Sequence, residues 1–180
     1  MTSTKIVKLD PTSFIADYLK EAVSILSRGG LVIIPTETVY GIAAKMTDLG
    51  AIERLYKIKA RPRSKPFSLH LDRKEKVEYF ARDIPVSAYK LMDEFWPGPL
   101  TLIFKSRDKG TVGIRVPDNN IALAIIGLSV APIVCPSANI SGKAPPTNFP
   151  DAIQELEGLV DFAIDAGPTK LGIESTVVAV

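Results

Sequence analysis

A run of basic residues interrupted by two prolines constrains this chain more than any other feature. Residues 57–66 read Lys-Ile-Lys-Ala-Arg-Pro-Arg-Ser-Lys-Pro, with five basic residues and no acidic one. Clustered positive charge repels itself unless an anion neutralises it, and proline does not fit the interior of a helix. The run therefore predicts the end of a helix that passes into a stiffened loop. It is either a clamp for phosphate or carboxylate or a solvated basic loop, and the run alone leaves both interpretations open.

Within this run, Lys59 and Arg61 are two residues apart, and Arg61 directly precedes Pro62. A residue before proline favours extended backbone, and residues two apart on an extended chain point to the same side. We therefore expect both side chains to be exposed in a cleft, where they face one anion.

Length and charge restrict the class of protein. A chain of 180 residues can form one domain with a real core. The net charge of +2 provides no general attraction to nucleic acid or membrane, so an anion site has to come from local clustering. No uninterrupted apolar segment reaches the ~18 residues that span a bilayer, and the N-terminus lacks the apolar core of a signal peptide. We predict a cytoplasmic protein without a membrane partner.

The order of predicted elements favours a mixed α/β (α+β) fold. A short apolar strand at residues 31–34 ends at Pro35, and Asp48 is placed to cap the helix that leads into the basic run. Asp10 and Pro11 are predicted to open the first helix. Because strands and helices mix without strict alternation, residues 1–180 predict a single domain rather than a doubly wound sheet.

Polar side chains follow two of the predicted strands. Thr36 follows the strand at 31–34, and Ser137, Asn139 and Ser141 follow the strand at 131–134. Hydroxyl, amide and turn backbone groups at strand exits can bind an oxyanion. The same residues also form helix caps and Asx turns, and this pattern does not separate the two roles.

Three further residues stand out by their type or by their neighbours in the sequence. Arg115 lies between apolar residues of a predicted strand, so we expect a partner anion from the protein or from a ligand. His70 is the only histidine and lies on a predicted strand, where a structural or a catalytic role is open. Cys135 is the only cysteine, which excludes an internal disulfide and a multi-cysteine zinc site. We predict that it is a buried packing residue, because no histidine near it in sequence could activate it.

The common nucleotide and hydrolase motifs are absent from the sequence. It has no P-loop, no dinucleotide-binding turn, no His-Glu-x-x-His and no nucleophile elbow. A nucleotide would therefore bind without any of these motifs.

The chain resembles the YrdC-like family, the threonylcarbamoyl-AMP synthases of tRNA modification. The resemblance covers about residues 12 to 180 and rests on motifs that occur in the family's order. These are Pro-Thr-Glu-Thr-Val-Tyr-Gly at 35–41, Lys59-x-Arg61, Lys65-Pro66, Trp-Pro-Gly-Pro-Leu-Thr at 96–101, Arg115-Val116-Pro117, Ser137-x-Asn139 and Glu174-Ser175-Thr176-Val177.

The resemblance implies a fold, a reaction and a set of partners. The fold is a twisted open sheet with flanking helices and a basic concave face. L-threonine and bicarbonate form a carbamate that attacks the α-phosphorus of ATP, which yields threonylcarbamoyl-AMP and pyrophosphate. Mg²⁺ accompanies the ATP without a dedicated protein cage. A threonylcarbamoyl transfer complex then modifies tRNA, which is itself a candidate partner.

The resemblance also assigns roles to individual residues. The implied catalytic residues are Lys59 and Arg61. The implied L-threonine ligands are Thr36, Arg61 and His70. The implied nucleotide ligands are Lys59, Lys65, Arg115, Ser137, Asn139, Ser141 and Ser175. Such residues suit phosphoryl chemistry, which needs positioning and charge neutralisation more than a nucleophilic side chain.

One departure and two alternatives accompany this interpretation. Family members usually continue with a strand that carries an Arg-Pro-Gly motif, and some add a second domain. The chain ends at Val180, which predicts a short variant or a truncation before that strand or domain. The alternatives are a module that binds double-stranded RNA or tRNA, and a carbamoyltransferase-type YrdC-like domain. The near-neutral charge argues against RNA binding as the main role, and the single cysteine excludes the zinc fingers of the carbamoyltransferase chains.

Overall fold

The computed structural model describes residues 3–10, 12–13 and 16–180. The helices in these residues are α1 (Ala16–Ser27), α2 (Leu49–Ile58), α3 (Val86–Phe95), α4 (Asn120–Leu128) and α5 (Phe149–Gln154), with a 3-10 helix at Lys74–Tyr79. The strands are β1 (Lys5–Lys8), β2 (Val32–Ile34), β3 (Gly41–Lys45), β4 (Leu69–His70), β5 (Ala81–Arg82), β6 (Leu100–Ser106), β7 (Thr111–Arg115), β8 (Ile133–Val134), β9 (Phe162–Asp165) and β10 (Thr176–Ala179).

All of these strands belong to one mixed sheet. Its order is β1-β9-β2-β3-β8-β4-β7-β6-β10, with β5 paired to β6 beside this path. The sheet contains antiparallel pairs such as β2 with β3 and β3 with β8, and parallel pairs such as β2 with β9 and β6 with β10. The mixed pairing confirms the predicted α/β (α+β) class and differs from a doubly wound parallel sheet.

Helices cover both faces of one half of the sheet. Val32 and Ile34 of β2 join the core that includes residues of α1 and α4, whereas Leu31 and Ile33 join the core that includes residues of α2 and α5. Successive side chains of a strand point to opposite faces, so a strand covered on both sides has to be continuously apolar. Residues 31–34 meet this condition, which confirms the predicted buried strand.

The other half of the sheet has its own core. Residues of β4, β6 and β7 pack there with α3 and the 3-10 helix. Trp96 follows α3, and its indole N–H donates to the carbonyl of Leu100 at 2.6 Å. None of the helices in the described part of the chain is long and apolar enough to cross a bilayer.

The structure confirms one of two predicted helix N-caps and contradicts the other. The Asp48 carboxylate accepts a hydrogen bond from the backbone N–H of Ala51 at 2.9 Å, which confirms it as the N-cap of α2. Asp10 instead accepts from the N–H of Thr12 at 2.8 Å and forms a separate turn before α1. The prediction that it caps the first helix is wrong, and Pro11 lies outside the described residues.

The connection between β9 and β10 runs from near one edge of the sheet to the opposite edge. β9 lies near one edge of the strand order and β10 at the other. Along this connection, the N–H groups of Leu171 and Gly172 donate to the carbonyls of Glu37 at 2.8 Å and Thr38 at 3.1 Å. These hydrogen bonds hold the connection beside the strand exit after β2, and they bring the residues just before β10 into the candidate site.

Candidate active site

A cavity of about 240 Å³ gathers side chains from distant parts of the sequence. Its walls come from the exit of β2, the basic loop, β4, β6, β7, the exit of β8 and the start of β10. The predicted site residues that line it are Thr36, Arg61, His70, Arg115, Ser137 and Ser175. The predicted site residues that do not line it are Lys59, Lys65, Asn139 and Ser141.

Lys59 is buried, with 2% of its surface exposed, so the expectation that it is exposed in a cleft is wrong. The backbone explains the difference. Lys59 is the helical C-cap of α2, and Ala60 after it has a φ of 46° in the left-handed region. The N–H groups of Ala60 and Arg61 donate to Lys57 and Tyr56 carbonyls, both at 3.2 Å, which is a Schellman motif. The chain therefore turns between Lys59 and Arg61 instead of extending.

The Lys59 side chain supports the segment at residues 137–141. Its ammonium donates to the backbone carbonyl of Ser137 and, at 2.7 Å, to that of Asn139. The Lys59 carbonyl in turn accepts from the N–H of Ser141 at 2.9 Å. Burial lowers the Lys59 pKa to about 8, and repulsion from Arg61 contributes. Lys59, Asn139 and Ser141 therefore join the basic loop to the exit of β8, and the ammonium is engaged with protein carbonyls.

We expect Lys59→Met to lower the free energy of unfolding by about 2–3 kcal/mol, because the partly buried carbonyls of Ser137 and Asn139 lose a charged donor. Urea unfolding would measure the loss. Lys57→Met is the matched control, since Lys57 is exposed on the same helix, and its effect should stay within about 0.5 kcal/mol. Equal stability of the two variants would contradict the supporting role.

Arg61 is half-buried at the rim of the cavity. Its Nε–H donates to the Lys65 carbonyl at 2.8 Å, and Nη2 donates to the Pro66 carbonyl at 3.2 Å. A guanidinium has five N–H groups, so three remain for a ligand. Lys65 itself is exposed and holds Arg61 through its carbonyl.

The anion that pairs with Arg115 belongs to the chain itself. Nη2 of Arg115 lies 2.6 Å from Oε1 of Glu37, and the two side chains are 6% and 2% exposed. The guanidinium also donates to the hydroxyl of Thr38 at 2.9 Å and to the carbonyl of Gly98 at 3.1 Å. Arg115 therefore forms a buried ion pair that joins β7 to the strand exit after β2, and it forms part of the cavity wall.

Thr36 and His70 are both buried polar residues of the wall. The Thr36 hydroxyl donates to the carbonyl of Val39 at 2.7 Å, so its proton is already engaged within the turn. Burial, together with the charge of Arg115, lowers the pKa of His70 to about 3. The ring is therefore neutral at neutral pH, and its Nδ1 has no hydrogen-bond partner among the described residues. A neutral imidazole with a free nitrogen can bond a ligand hydroxyl or amine.

Glu174 lines the cavity, but the sequence did not predict it as a site residue. It precedes Ser175, whose hydroxyl lies 2.9 Å from that of Thr101, and the pair of residues reaches the cavity through the β9–β10 connection. Glu174 is the only acidic residue among those that line the cavity. The signal available in the sequence was its place in the Glu174-Ser175-Thr176-Val177 motif, in which the resemblance assigned a ligand role only to Ser175.

Cys135 is buried in the core, which confirms the prediction of a packing residue. Burial raises the pKa of its thiol to about 12, although Arg115 and Lys59 lower it in part. The thiol therefore stays protonated and is a poor nucleophile. The packing is tight, because a Cβ at Gly41 would lie 2.4 Å from the Cys135 sulfur.

We expect Cys135→Ala to keep catalytic turnover and to lose at most ~1–2 kcal/mol of stability through a small cavity. Thermal unfolding and the turnover assay described below would test both parts. Loss of turnover in the alanine variant, together with rapid alkylation of the native thiol, would contradict this prediction.

The residues described here contain no cluster of three or more His, Cys, Asp or Glu side chains able to hold a metal ion. Among the residues that line the cavity, the side-chain oxygen groups are hydroxyls together with the carboxylate of Glu174. These side chains can contact a hard cation that is bound to a phosphate group, but they do not form a complete metal coordination site.

The fold and this cavity define an α/β protein whose site combines arginine, a carboxylate and several hydroxyls. A family model named for Sua5, YciO and YrdC and described as "Telomere recombination" matches residues 24–180. The chain is 40% identical over 169 residues to the threonylcarbamoyl-AMP synthase of Pyrococcus abyssi, across 89% of this chain and 50% of that protein. It is 37% identical over 171 residues to the threonylcarbamoyl-AMP synthase of Bacillus subtilis, across 89% of this chain and 49% of that protein.

Comparison with solved structures gives the same family. The crystal structure of P. abyssi Sua5 complexed with L-threonine superposes with a TM-score of 0.93 at 37% identity, and it covers 98% of this chain and 54% of that chain. The chain belongs to the Sua5/YciO/YrdC family. It spans about half the length of the P. abyssi and B. subtilis relatives.

Proposed function

We propose that this chain makes threonylcarbamoyl-AMP and pyrophosphate from ATP, L-threonine and bicarbonate. The observation that carries the proposal is the pair of opposite charges at the cavity, Arg61 and Glu174, among hydroxyl groups. The names of the relatives and the L-threonine in the P. abyssi Sua5 structure support the same substrates.

The charge pair suits a free α-amino acid. A guanidinium with free N–H groups can bind a carboxylate through two parallel hydrogen bonds, which fits Arg61 to the carboxylate of threonine. Glu174 provides the matching negative charge for the ammonium group. His70, neutral and with Nδ1 free among the described residues, can bond the threonine hydroxyl.

ATP would occupy the hydroxyl-rich part of the cavity. Ser137 and Ser175 can donate to phosphate or ribose oxygens, and the backbone N–H groups of the 137–141 turn can add to them. In the proposed reaction, the amine of threonine and bicarbonate combine with loss of water to give N-carboxythreonine, and a carbamate oxygen of that compound forms a bond to the α-phosphorus of ATP. The bond from that phosphorus to the bridging oxygen breaks, and pyrophosphate leaves. Such a step depends on alignment and charge neutralisation rather than on an enzyme nucleophile.

The remaining partners follow from this reaction. Mg²⁺ would enter as part of the MgATP substrate, since charge on the phosphates is what such an ion neutralises. The adenylate product would pass to a threonylcarbamoyl transfer complex that modifies tRNA, and the cytoplasm remains the predicted location. Direct binding of tRNA is a further part of the proposal, to be tested by its dependence on salt.

The test is pyrophosphate release with ATP, bicarbonate and a series of amino acids. We expect L-threonine to exceed L-valine by about 10- to 100-fold in kcat/KM, because valine leaves the groups that bond the hydroxyl unpaired. L-serine should lose about 5-fold through one missing methyl contact of about 1 kcal/mol. Equal use of threonine and valine would contradict the roles of Thr36 and His70.

The same assay separates the alternatives. An RNA-binding module would release no pyrophosphate and would bind RNA with an affinity that falls steeply with salt. A carbamoyltransferase-type domain would accept a carbamoyl group from another donor and would not depend on threonine. Release that needs both threonine and bicarbonate is the result that our proposal requires.

A further inference from the structure

A chain of stacked side chains leads from the outer surface of α2 to the rim of the cavity. Cζ of Arg61 lies 5.3 Å from the centroid of the Phe67 ring, and the Phe67 and Tyr56 rings are 4.3 Å apart with planes inclined by 32°. Cζ of Arg63 lies 5.7 Å from the Tyr56 ring, and its guanidinium pairs with Glu53 of the same helix. We call Arg61, Phe67, Tyr56 and Arg63 the Arg61 stack.

The stack joins parts of the chain that have little other regular structure between them. Tyr56 belongs to α2, the two arginines belong to the loop after it, and Phe67 precedes β4. Residues 59–68 contain no helix or strand, so the loop conformation depends on such contacts. The carbonyls of Lys65 and Pro66 add two hydrogen bonds to the Arg61 guanidinium. The ring of Phe67 and these carbonyls together restrict both the position and the plane of the guanidinium.

A restricted guanidinium has a functional consequence. A free arginine side chain loses rotamer freedom when it binds an anion, and a preorganised one loses less. Phe67 lines the cavity beside Arg61, whereas Tyr56 does not line it and can act on a ligand only through its neighbours. Arginine stacks favourably on aromatic faces, so the Phe67 ring supports the Arg61 guanidinium without engaging its N–H groups, three of which make no hydrogen bond within the described residues.

We propose that Phe67 and Tyr56 are positioning residues that hold the Arg61 guanidinium in the orientation that receives the substrate carboxylate. The inference rests on the proposed function for the identity of that substrate. It concerns the binding step, so the stack should affect the KM for the amino acid and should leave kcat nearly unchanged.

The first experiment compares Phe67→Leu with Phe67→Tyr in the pyrophosphate assay. The leucine variant should raise the KM for threonine by about 3- to 30-fold, the range expected for loss of a cation–π contact, with kcat within about 2-fold of the parent. The tyrosine variant keeps a ring and should stay within about 2-fold in both parameters. An unchanged KM in Phe67→Leu would overturn the proposal.

A double-mutant cycle separates positioning from direct contact with the substrate. In an Arg61→Ala background, Phe67→Leu should add less than about 2-fold, because its effect passes through Arg61. A full additional effect in that background would mean that Phe67 contacts the substrate directly, and the proposal would then be wrong. Tyr56→Leu should act in the same direction as Phe67→Leu with a smaller effect. Tyr89→Leu, which alters an exposed tyrosine of α3, is the matched control and should change neither parameter.

A measurement without substrate keeps this test independent of the proposed function. The ¹⁵N order parameter of the Arg61 Nε–H group should be high in the parent protein and should fall in Phe67→Leu, while Phe67→Tyr should keep it high. If the parent releases no pyrophosphate with threonine, the proposed function fails and the order parameter still tests the stack. If the parent is active and the order parameter is equally low in all three proteins, the stack proposal fails alone.

Discussion

Glutamine in place of Glu37 is expected to lower the free energy of unfolding by about 3–5 kcal/mol. Arg115 would keep its charge in a site where only 6% of its side chain is exposed, and it would lose the carboxylate 2.6 Å away. Removing one member of a buried ion pair costs more than the pair itself contributes, because the other charge remains without compensation. Chemical denaturation with circular dichroism would measure the change.

Two further variants make this prediction specific. Glu21→Gln breaks the Lys5–Glu21 pair, whose side chains are 54% and 35% exposed, and should cost less than about 1 kcal/mol. The double variant Glu37→Leu with Arg115→Met removes both buried charges and should recover much of the stability lost in Glu37→Gln. A Glu37→Gln protein as stable as the Glu21→Gln protein would show that the buried pair is not needed to join β7 to the exit of β2.

Alanine in place of Arg61 is expected to reduce kcat/KM for threonylcarbamoyl-AMP synthesis by about 30- to 150-fold. Loss of a charge-assisted hydrogen bond typically costs about 2–3 kcal/mol, which corresponds to that range. The fold should remain intact, because Arg61 is half-buried and its hydrogen bonds within the described part of the chain go to two carbonyls of an exposed loop. Steady-state pyrophosphate release would give the kinetic change, and thermal unfolding would confirm that the variant is folded.

Arg28→Ala is the matched control for this substitution, since Arg28 is an exposed arginine just after α1 and does not line the cavity. It should leave kcat/KM unchanged. Normal turnover by Arg61→Ala would show that Arg61 does not bind the substrate. The proposal that Arg61 and Glu174 bind the two charged groups of a free amino acid would then be wrong.

Lys59 shows where the tertiary structure departs from what the sequence predicts. The sequence placed Lys59 and Arg61 together in one clamp, because Arg61 precedes Pro62 and residues two apart on an extended chain point to the same side. The structure separates them by a Schellman turn in which Ala60, a residue with a Cβ, has a left-handed φ of 46°. Residues with a Cβ rarely adopt that conformation, so the sequence held no signal for it.

The sequence by itself determined the features that neighbouring residues encode. A continuous apolar run indicated the buried strand at 31–34, the Asp48 side chain indicated the start of α2, and an apolar context without a nearby base indicated that Cys135 is a buried packing residue. The ordered motifs also indicated the family. The strand, the helix cap and the buried cysteine each depend on propensity, capping or burial within a few residues of the chain.

Only the tertiary structure decided which distant groups meet. β3, with the sequence Gly-Ile-Ala-Ala-Lys, has no strong strand signal and becomes a strand because β2 and β8 pair with it on both sides. Arg115 pairs with a carboxylate 78 positions away, and Glu174 enters the cavity because the β9–β10 connection is bonded to residues 37 and 38. A charged side chain signals that it needs a partner, but the sheet order determines which partner is within reach.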